Sequence, residues 1–296
     1  MLAELFAILA PVLITAGIGY GWARCGQEFP STFVAQLTLR VGTPALVLSA
    51  LTRTRIEPGA FMEMVLACLL VTLSMGLVGW LVGRLFNKDW RIMVPAFLFS
   101  NTGNLGLPIS LYAFGEAGLA LAVAFFIVLS ISQFSMGEML AGHQSLKRAL
   151  LNPTLLSVAI ALPVVFLELH LPRWVQNSLN LLGGMTIPLM LLTLGVSLAT
   201  IRVRHLAQGL LLGGLRVGCG ALLAWLIGTW LALPPLTLGV LILQAAMPVA
   251  VFNYLFALRA NRSPEEVASL VLCSTLLAFL LLPLLLAWLL PSLRVG

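Results

Sequence analysis

The stretch SNTGNLGLP, residues 100–108, lies at the centre of an otherwise apolar segment without charge that runs from Ile92 to Gly115. About 20 residues of helix cross the hydrocarbon core of a bilayer, so this segment is long enough to span it. Two amides, two glycines and a proline at its centre make a continuous helix unfavourable. Irregular backbone at membrane depth is tolerated only where protein or a water-filled cavity satisfies its polar groups. The stretch therefore predicts a broken membrane helix with a solute site at the break.

The composition places the whole chain in a membrane. Of its 296 residues, 60% are hydrophobic and only 9% are charged, whereas soluble domains carry about 25% charged residues. The first residues lack the basic region of a secretory signal and lead straight into an apolar segment, so we expect a retained first span. The 4 cysteines lie far apart without a CxxC pair, which predicts neither a disulfide framework nor a metal site. The composition indicates no cofactor.

The charged residues divide the chain into ten apolar segments. The charge-free run from Val217 to Leu258 is too long for one span, and Pro234 and Pro235 predict the turn that divides it. We therefore predict an all-α polytopic membrane protein with ten transmembrane helices. Residues 1–140 and 149–296 would each form a five-helix unit, and residues 141–148 a short cytoplasmic connector. The ten segments are residues 3–23, 31–51, 61–83, 92–114, 117–138, 149–168, 174–200, 206–231, 235–258 and 266–290.

Lys and Arg are unevenly distributed between the two sets of loops. Ten of them follow the odd-numbered segments and four lie on the opposite face. Because cytoplasmic loops carry the excess of Lys and Arg, we expect both termini on the non-cytoplasmic side. The same asymmetry explains the net charge of +6, which needs no nucleic-acid partner. The ten are Arg24, Arg84, Lys88, Arg91, Lys147, Arg148, Arg202, Arg204, Arg259 and Arg262, and the four are Arg53, Arg55, Arg173 and Arg294.

The two halves of the chain share three landmarks at nearly one offset. Because each half has five segments, an odd number, the second half enters the membrane from the opposite face. The landmarks therefore predict two inverted repeats. They are Pro44 and Pro188, 144 residues apart, Trp80 and Trp225, 145 apart, and Pro108 and Pro248, 140 apart.

Segments four and nine are the interrupted pair in these repeats. Inverted repeats with interrupted helices at equivalent positions are typical of secondary transporters whose site lies near the midplane. If the two segments cross at their prolines, the N-terminal ends of the half-helices bring unpaired N–H groups and partial positive charge together. Such a crossing attracts anions. The residues that we assign to the helix crossover are Gly103, Gly106, Pro108 and Pro248.

Several groups of residues carry a resemblance to a known family. They are Pro44-Ala45-Leu46, residues 100–108, Phe114-Gly115, Asn152-Pro153, Ala246-Met247-Pro248 and Ala257. On these residues the sequence resembles bacterial members of the auxin efflux carrier family, which includes the plant PIN carriers and bacterial malonate and malate permeases. The resemblance covers essentially the full chain. It implies a ten-span fold of two inverted repeats with broken crossover helices four and nine, and elevator-like alternating access between a scaffold and a transport domain. It also implies export or exchange of small organic anions, often by a homodimer.

Five amide side chains are candidates for contact with the solute. Asn101 and Asn104, three residues apart, share one face if they are helical, and Gln244 and Asn253 flank the break in segment nine. These amides could hold a carboxylate or coordinate a cation, or they could only satisfy interrupted backbone and bond across helices. The family resemblance adds Asn152 at the start of segment six, with a helix cap as the alternative.

Arg40 and Arg216 are the two cations that lie within segments rather than at their ends. A charge at mid-span costs about 2.5–3.5 kcal/mol on insertion scales, so such a residue usually faces a cavity or a partner. Either arginine could counter an anionic substrate, snorkel to water, or cap the carbonyls of a broken helix. Both are therefore candidate substrate-binding residues.

All 10 acidic residues lie near segment ends or in loops, so the sequence offers no midplane carboxylate to carry a proton. Hydrolase and ATPase motifs are also absent from the sequence, which argues against an enzyme. The sequence predicts a secondary transporter of the bacterial cytoplasmic (inner) membrane that exports or exchanges a small carboxylate, driven by the membrane potential. The alternatives are ion-coupled carboxylate uptake, a non-transporting membrane sensor, and a passive pore.

Overall fold

The computed structural model describes residues 2–54, 57–140, 153–167, 169, 171–201, 205–260 and 262–294. The described residues form helices joined by short turns, together with one isolated antiparallel bridge. The α-helices are α1 (Leu2–Arg24), α2 (Ser31–Leu37), α3 (Thr43–Thr54), α4 (Pro58–Leu85), α5 (Trp90–Leu98), α6 (Leu107–Leu140), α7 (Pro153–Phe166), α8 (Arg173–Gly184), α9 (Thr186–Thr200), α10 (Leu206–Trp230), α11 (Pro235–Ala245), α12 (Val251–Arg259) and α13 (Pro264–Arg294), and two short π-helices are π1 (Thr38–Gly42) and π2 (Thr102–Gly106).

Seven helical stretches of the described chain are long and apolar enough to cross a membrane, so the protein is a polytopic membrane protein. Their outer surfaces carry exposed apolar side chains such as Leu73, Leu280 and Leu284. Segments four and nine occur as shorter pieces, and segment six extends beyond the described residues. The count of ten spans therefore stays a prediction, as does the repeat. The seven stretches are Leu2–Arg24, Ser31–Arg53, Gly59–Leu85, Thr102–Gln133, Arg173–Thr200, Leu206–Trp230 and Pro264–Pro291.

The helices pack into two bundles. The first bundle contains α1, α2, π1, α3, α7, α8 and α9, and its most extensive contact joins α1 to α9. Glycines allow that contact, because a Cβ at Gly19 would overlap with the Leu192 carbonyl and a Cβ at Gly195 with the Ala16 carbonyl. The second bundle contains the remaining helices, with α10 packed on α13 and α4 on α5. The bundles meet where α6 contacts α1 and α3 and where π2 contacts α9, so π2 lies at their boundary.

Each π-helix is followed by a proline two residues after its end. π1 ends at Gly42, two residues before Pro44, and π2 ends at Gly106, two residues before Pro108. A proline lacks the N–H that its helix needs and its ring clashes with the carbonyl four residues earlier. A π-turn relieves that clash by widening the helix, so Pro108 continues into α6. Segment four is non-helical at residues 99–101 and helical at Pro108, and the assignment of Pro108 to the crossover stays a prediction.

Gly115 turns the chain within α6. Its φ of 67° and ψ of −162° belong to a region that only glycine adopts readily. Predicted segments four and five separate at this residue, and the following Glu116 pairs with Arg53 (3.3 Å). Two further ion pairs, Lys88 with Glu266 (2.6 Å) and Asp89 with Arg262 (2.8 Å), join the α4–α5 loop to the α12–α13 loop. The loops that follow segments three and nine therefore lie together.

Candidate functional site at the crossing of two interrupted helices

Segment four is interrupted between α5 and π2. Ser100, Asn101 and Thr102 are poor interior helix residues, because their short polar side chains compete for backbone hydrogen bonds. Phe99, which follows α5, is extended with φ −97° and ψ 98°. Asn101, which precedes π2, has φ −78° and ψ 54°. The polar stretch itself therefore carries the break.

Segment nine is interrupted between α11 and α12. Residues 246–250 separate the two helices, and Pro248 within them has no N–H with which to continue α11. Ala250, just before α12, is extended with φ −66° and ψ 138°. Both predicted breaks thus contain a short extended strand within an apolar segment.

The two strands bind each other through their backbones in the antiparallel bridge. The Asn101 N–H donates to the Pro248 carbonyl (2.7 Å), and the Ala250 N–H donates to the Phe99 carbonyl (3.0 Å). Backbone groups without a helical partner are thereby satisfied inside the protein, as a membrane requires. Segments four and nine therefore cross at residues 99–101 and 248–250.

Three serine hydroxyls and one backbone amide reinforce the crossing. Ser100 and Val249 are the two residues of the bridge. The Ser100 hydroxyl donates to the Gln244 carbonyl (3.4 Å), and the Val249 N–H donates to the Ser274 hydroxyl (3.1 Å) on α13. The Ser110 hydroxyl accepts from the Gln244 side chain (3.0 Å). The crossing is thus held by α6, α11 and α13 together, all within the second bundle.

Two helix N-termini and two helix C-termini meet at this crossing. α5 and α11 end there, and π2 and α12 begin there. The first helical bonds of π2 run from the Leu105 and Gly106 N–H groups to the Asn101 carbonyl, so the N–H groups of residues 102–104 precede the helical bonding pattern. Each helix N-terminus carries roughly half a positive charge. The N-termini of π2 and α12 therefore present N–H donors and positive potential to an anion, whereas the carbonyl ends of α5 and α11 attract cations.

Three buried amide side chains line the crossing, and each has one atom without a hydrogen-bond partner among the described residues. The Asn253 Nδ2 donates to the Phe99 carbonyl (3.1 Å), while its Oδ1 is unpaired. The Gln244 Nε2 donates to Ser110, while its Oε1 is unpaired. The Asn101 Nδ2 is also unpaired. Asn253 thus stabilises the interrupted backbone and Gln244 binds Ser110 of α6, and each keeps an oxygen for another partner, whereas Asn101 keeps a donor.

Arg216 lies beside the crossing, in the middle of α10, with a relative exposure of 1%. Its Nη1 donates to the carbonyl of Ala245, the last residue of α11 (2.8 Å). Gly220 provides the space, because a Cβ there would overlap with both the guanidinium group and that carbonyl. Of the roles that the sequence allows, the structure shows the cap on a broken helix.

The other predicted site residues lie in different surroundings. Asn104 is half-buried within π2 at the crossing, whereas Arg40 is exposed on π1 in the first bundle. Asn152 lies outside the described residues. The structure therefore brings Asn101, Asn104, Gln244, Asn253 and Arg216 together, and it leaves Arg40 on the other bundle.

Sequence reasoning missed a second polar cluster at π1. The hydroxyls of Thr38, Thr43 and Thr186 are buried, and none has a hydrogen-bond partner within the described ranges. Thr186 begins α9 and packs its hydroxyl against Gly42, as the Gln244 amide packs against Gly106. A signal was present, because the pattern T-x-x-x-G-x-P occurs at residues 38–44 and again at residues 102–108.

A cavity lies between α5 and α12 and reaches the crossing. Its wall is mostly apolar, with Arg91 and Arg262 near the loop ends of the two helices and Asn253 near the break. Arg262 also pairs with Asp89, the N-cap of α5. The cavity therefore joins the two arginines at the loop ends of the helices to one of the amides of the crossing. In the described part of the chain, no group of three or more His, Cys, Asp or Glu side chains could hold a metal ion.

Comparisons with known proteins identify the family of this chain. A protein from Methanothermobacter thermautotrophicus described as an uncharacterized transporter is 29% identical over 272 residues, covering 88% of this chain and 89% of the relative. One from Methanocaldococcus jannaschii, also described as an uncharacterized transporter, is 24% identical over 292 residues, covering 92% of this chain and 95% of the relative. The family profile described as membrane transport protein matches residues 137–286, half of the chain. The chain therefore belongs to the membrane transport protein family and is a transporter, not an enzyme.

Proposed function

We propose that the protein is a secondary transporter that exports or exchanges a small organic anion, a carboxylate, at the crossing of segments four and nine. The observation that carries the proposal is the Asn101 side chain. It is 4% exposed, its Nδ2 has no partner in the described residues, and it directly precedes the N-terminus of π2. A buried donor beside unpaired helix N–H groups fits a carboxylate oxygen.

The packing of the helices supports elevator-like alternating access. The whole crossing, with both of its strands and Arg216, belongs to the second bundle. This bundle meets the first bundle mainly through α6 and π2, so the site lies next to the boundary between the two. The second bundle would carry the anion as it slides along the first. The cavity lined by Arg91, Arg262 and Asn253 would give the anion a path from the charged loops to the site.

The membrane topology is part of the proposal. Ten spans in two inverted repeats place both termini on the non-cytoplasmic side of a bacterial inner membrane. The ion pairs between the α4–α5 and α12–α13 loops support this arrangement, because both loops follow odd-numbered segments. The resemblance to auxin efflux carriers adds a homodimer to the proposal.

The membrane potential is the proposed driving force. Moving one charge through 100 mV is worth about 2.3 kcal/mol, so about 150 mV, inside negative, expels a monoanion to roughly 300-fold excess outside. Ten acidic residues are present, but those that the structure describes lie at helix ends or in loops, where none is placed to carry a proton through the midplane. Electrogenic release therefore needs no proton carrier.

Flux into liposomes tests the proposal. Purified protein is screened by thermal shift against mono- and dicarboxylates, indole acetate and amino acids, and the best binder is then supplied labelled to proteoliposomes. We expect saturable net flux that follows an imposed potential, together with exchange of the labelled substrate across the membrane. Asn101→Ala should reduce flux at least about tenfold, because the only unpaired buried amide donor of the crossing among the described residues is lost. Asn177→Ala, at an exposed asparagine of α8, is the matched control and should leave flux unchanged. Normal kinetics in the Asn101 variant would contradict the site.

Ion-coupled carboxylate uptake is a second candidate, favoured by a different observation. The Gln244 Oε1 and Asn253 Oδ1 are buried acceptors without a donor among the described residues. Two amide oxygens next to extended carbonyls are ligands that suit Na⁺ at an interrupted helix. Uptake that rises with an inward sodium gradient at constant potential would support this candidate. Flux that does not depend on the sodium gradient would contradict this candidate and favour electrogenic release.

A further inference from the structure

Arg216 carries a positive charge into the interior of the second bundle. It stands 10 residues after the first residue of α10, Leu206, and its relative exposure is 1%. Its Nη1 donates to the Ala245 carbonyl, and its Nε has no partner within the described chain. The bond reaches the residue next to Gln244, so the charge lies against the crossing rather than at a membrane surface.

No described carboxylate pairs with this guanidinium. The ion pairs of the described residues involve Glu116, Glu266 and Asp89 with other cations at the ends of helices. The partner of Arg216 is instead the carbonyl end of α11, which carries about half of a negative charge. The bundle therefore keeps a net positive charge near its centre when the site is empty.

A helix cap alone does not require this charge. A neutral donor of similar reach could bond the Ala245 carbonyl without placing an ion at membrane depth, where an ion is costly. Gly220 also provides the space for the guanidinium group, because a Cβ at this position would overlap with it. Burying a charge is costly, and this charge lies beside a site that attracts anions. We therefore expect the transported solute to supply the opposite charge.

We propose that Arg216 is the fixed counter-charge of the transported anion. This inference rests on the proposed function and names its substrate class as monoanions. With a monoanion bound, the moving bundle is electrically neutral, so its crossing does not respond to the membrane potential. The empty bundle carries one positive charge, and an inside-negative potential pulls it back toward the cytoplasm. The return of the empty carrier is therefore the voltage-driven step of export. A dianion leaves the loaded bundle with a net negative charge, so the crossing of the loaded bundle then responds to the membrane potential, unlike that with a monoanion.

The mobile charge of the empty carrier can be measured without knowing the substrate. Purified protein is reconstituted into giant liposomes, and the displacement current after a voltage step is recorded with no organic anion present. The wild type should show a saturable displaced charge. Arg216→Gln should lower it at least about fivefold, because glutamine keeps an N–H donor but removes the charge. Arg216→Lys should retain it, and so should Arg84→Gln, which removes an exposed charge at the end of α4.

Tracer exchange provides the second arm. Labelled monomethyl malonate and labelled malonate, a monoanion and a dianion of similar shape, are exchanged across proteoliposomes under a potassium diffusion potential. A single charge that crosses half of the field changes a rate about threefold for a tenfold potassium gradient. Monomethyl malonate exchange should stay flat in the wild type and become voltage-dependent in Arg216→Gln. Thermal unfolding and size-exclusion profiles establish that each variant is folded.

The outcomes separate the two proposals. Equal displaced charge in wild type and Arg216→Gln, or no displaced charge in a wild type that does carry labelled anion, overturns the counter-charge and leaves the transporter standing. A wild type with neither displaced charge nor flux of any carboxylate overturns the proposed function, and the inference with it. Should Arg216→Gln fail to fold, a loss of displaced charge in the folded Arg216→Lys variant contradicts the inference equally.

Discussion

π1 and π2 share a sequence pattern, a following proline and a glycine that faces a polar side chain, yet only π2 lies at a break. Before π1, Leu37 is helical with φ −60° and ψ −47°, so α2 continues through the π-turn into α3. Before π2, the chain is extended from Phe99 and reaches Asn101 with ψ 54°. The proline that follows each π-helix therefore only widens the helix. A break also requires a polar stretch and a second strand that satisfies its backbone.

The largest expected effect comes from the glycines of the two π-turns. In Gly106→Ala, the new Cβ would overlap with the Gln244 amide and displace it from Ser110. Such overpacking costs about 1–3 kcal/mol, and we expect labelled flux in liposomes to fall at least about tenfold. The matched variant Gly42→Ala displaces only the Thr186 hydroxyl and should lower flux less than about threefold. Equal losses in the two variants would show that the π-turns do not differ in function.

The support of the second strand is the next largest effect. Ser274→Ala removes the acceptor of the buried Val249 N–H, and an unpaired buried donor costs about 1–3 kcal/mol. The thermal unfolding temperature in detergent, at a fixed heating rate, should fall by several degrees. Thr275→Val is the control, because the Thr275 hydroxyl bonds only within its own helix, to the Val271 carbonyl. An unchanged unfolding temperature in Ser274→Ala would show that Ser274 of α13 does not stabilise the crossing.

A smaller effect is expected from the loop ion pairs. Lys88→Gln breaks a partly buried pair between the α4–α5 loop and the first turn of α13, and it should cost about 0.5–1 kcal/mol. Arg53→Gln breaks a more exposed pair between α3 and α6 and should cost less than about 0.5 kcal/mol. Chemical denaturation in mixed micelles measures both, at low and at high salt. If high salt left the difference unchanged, the pair at Lys88 would not be electrostatic.

The smallest expected effect is at π1. Thr43→Val replaces a buried hydroxyl that has no partner within the described residues by a methyl group of the same shape. Removing an unsatisfied polar group is neutral or stabilising by up to about 1 kcal/mol. Flux should stay within about twofold of the wild type, whereas Ser110→Ala, which removes the acceptor of Gln244, should lower it. A loss in Thr43→Val as large as in Asn101→Ala would place the cargo at π1 as well.

The sequence predicted the interrupted segments because composition alone marks a break. Two amides, glycine and proline cannot all sit in a lipid-facing helix, so the polar stretch at residues 100–108 and the polar residues around Pro248 indicated where to look. The position of the crossing was not predictable from these residues. The position depends on which carbonyl accepts the hydrogen bond of the Asn101 N–H. That acceptor is the carbonyl of Pro248, which lies in the other half of the chain.

Arg40 and Arg216 show where sequence reasoning ends. Both are arginines within apolar segments, and the sequence allows the same three roles for each. Arg216 has a glycine one turn later and a helix end within reach, which bury it. Arg40 lies on a π-turn whose packed side is occupied by Thr186 and Gly42, so its own side chain is exposed. The packing of neighbouring helices therefore determines whether each arginine side chain is buried, and the sequence of one segment does not predict that packing.

The antiparallel bridge joins the two halves of the chain through main-chain atoms at Ser100 and Val249. Hydrogen bonds between main-chain atoms do not depend on the identity of most side chains, so many substitutions at these two positions can leave the bridge intact. The connection between the halves can therefore persist while the sequence around it changes.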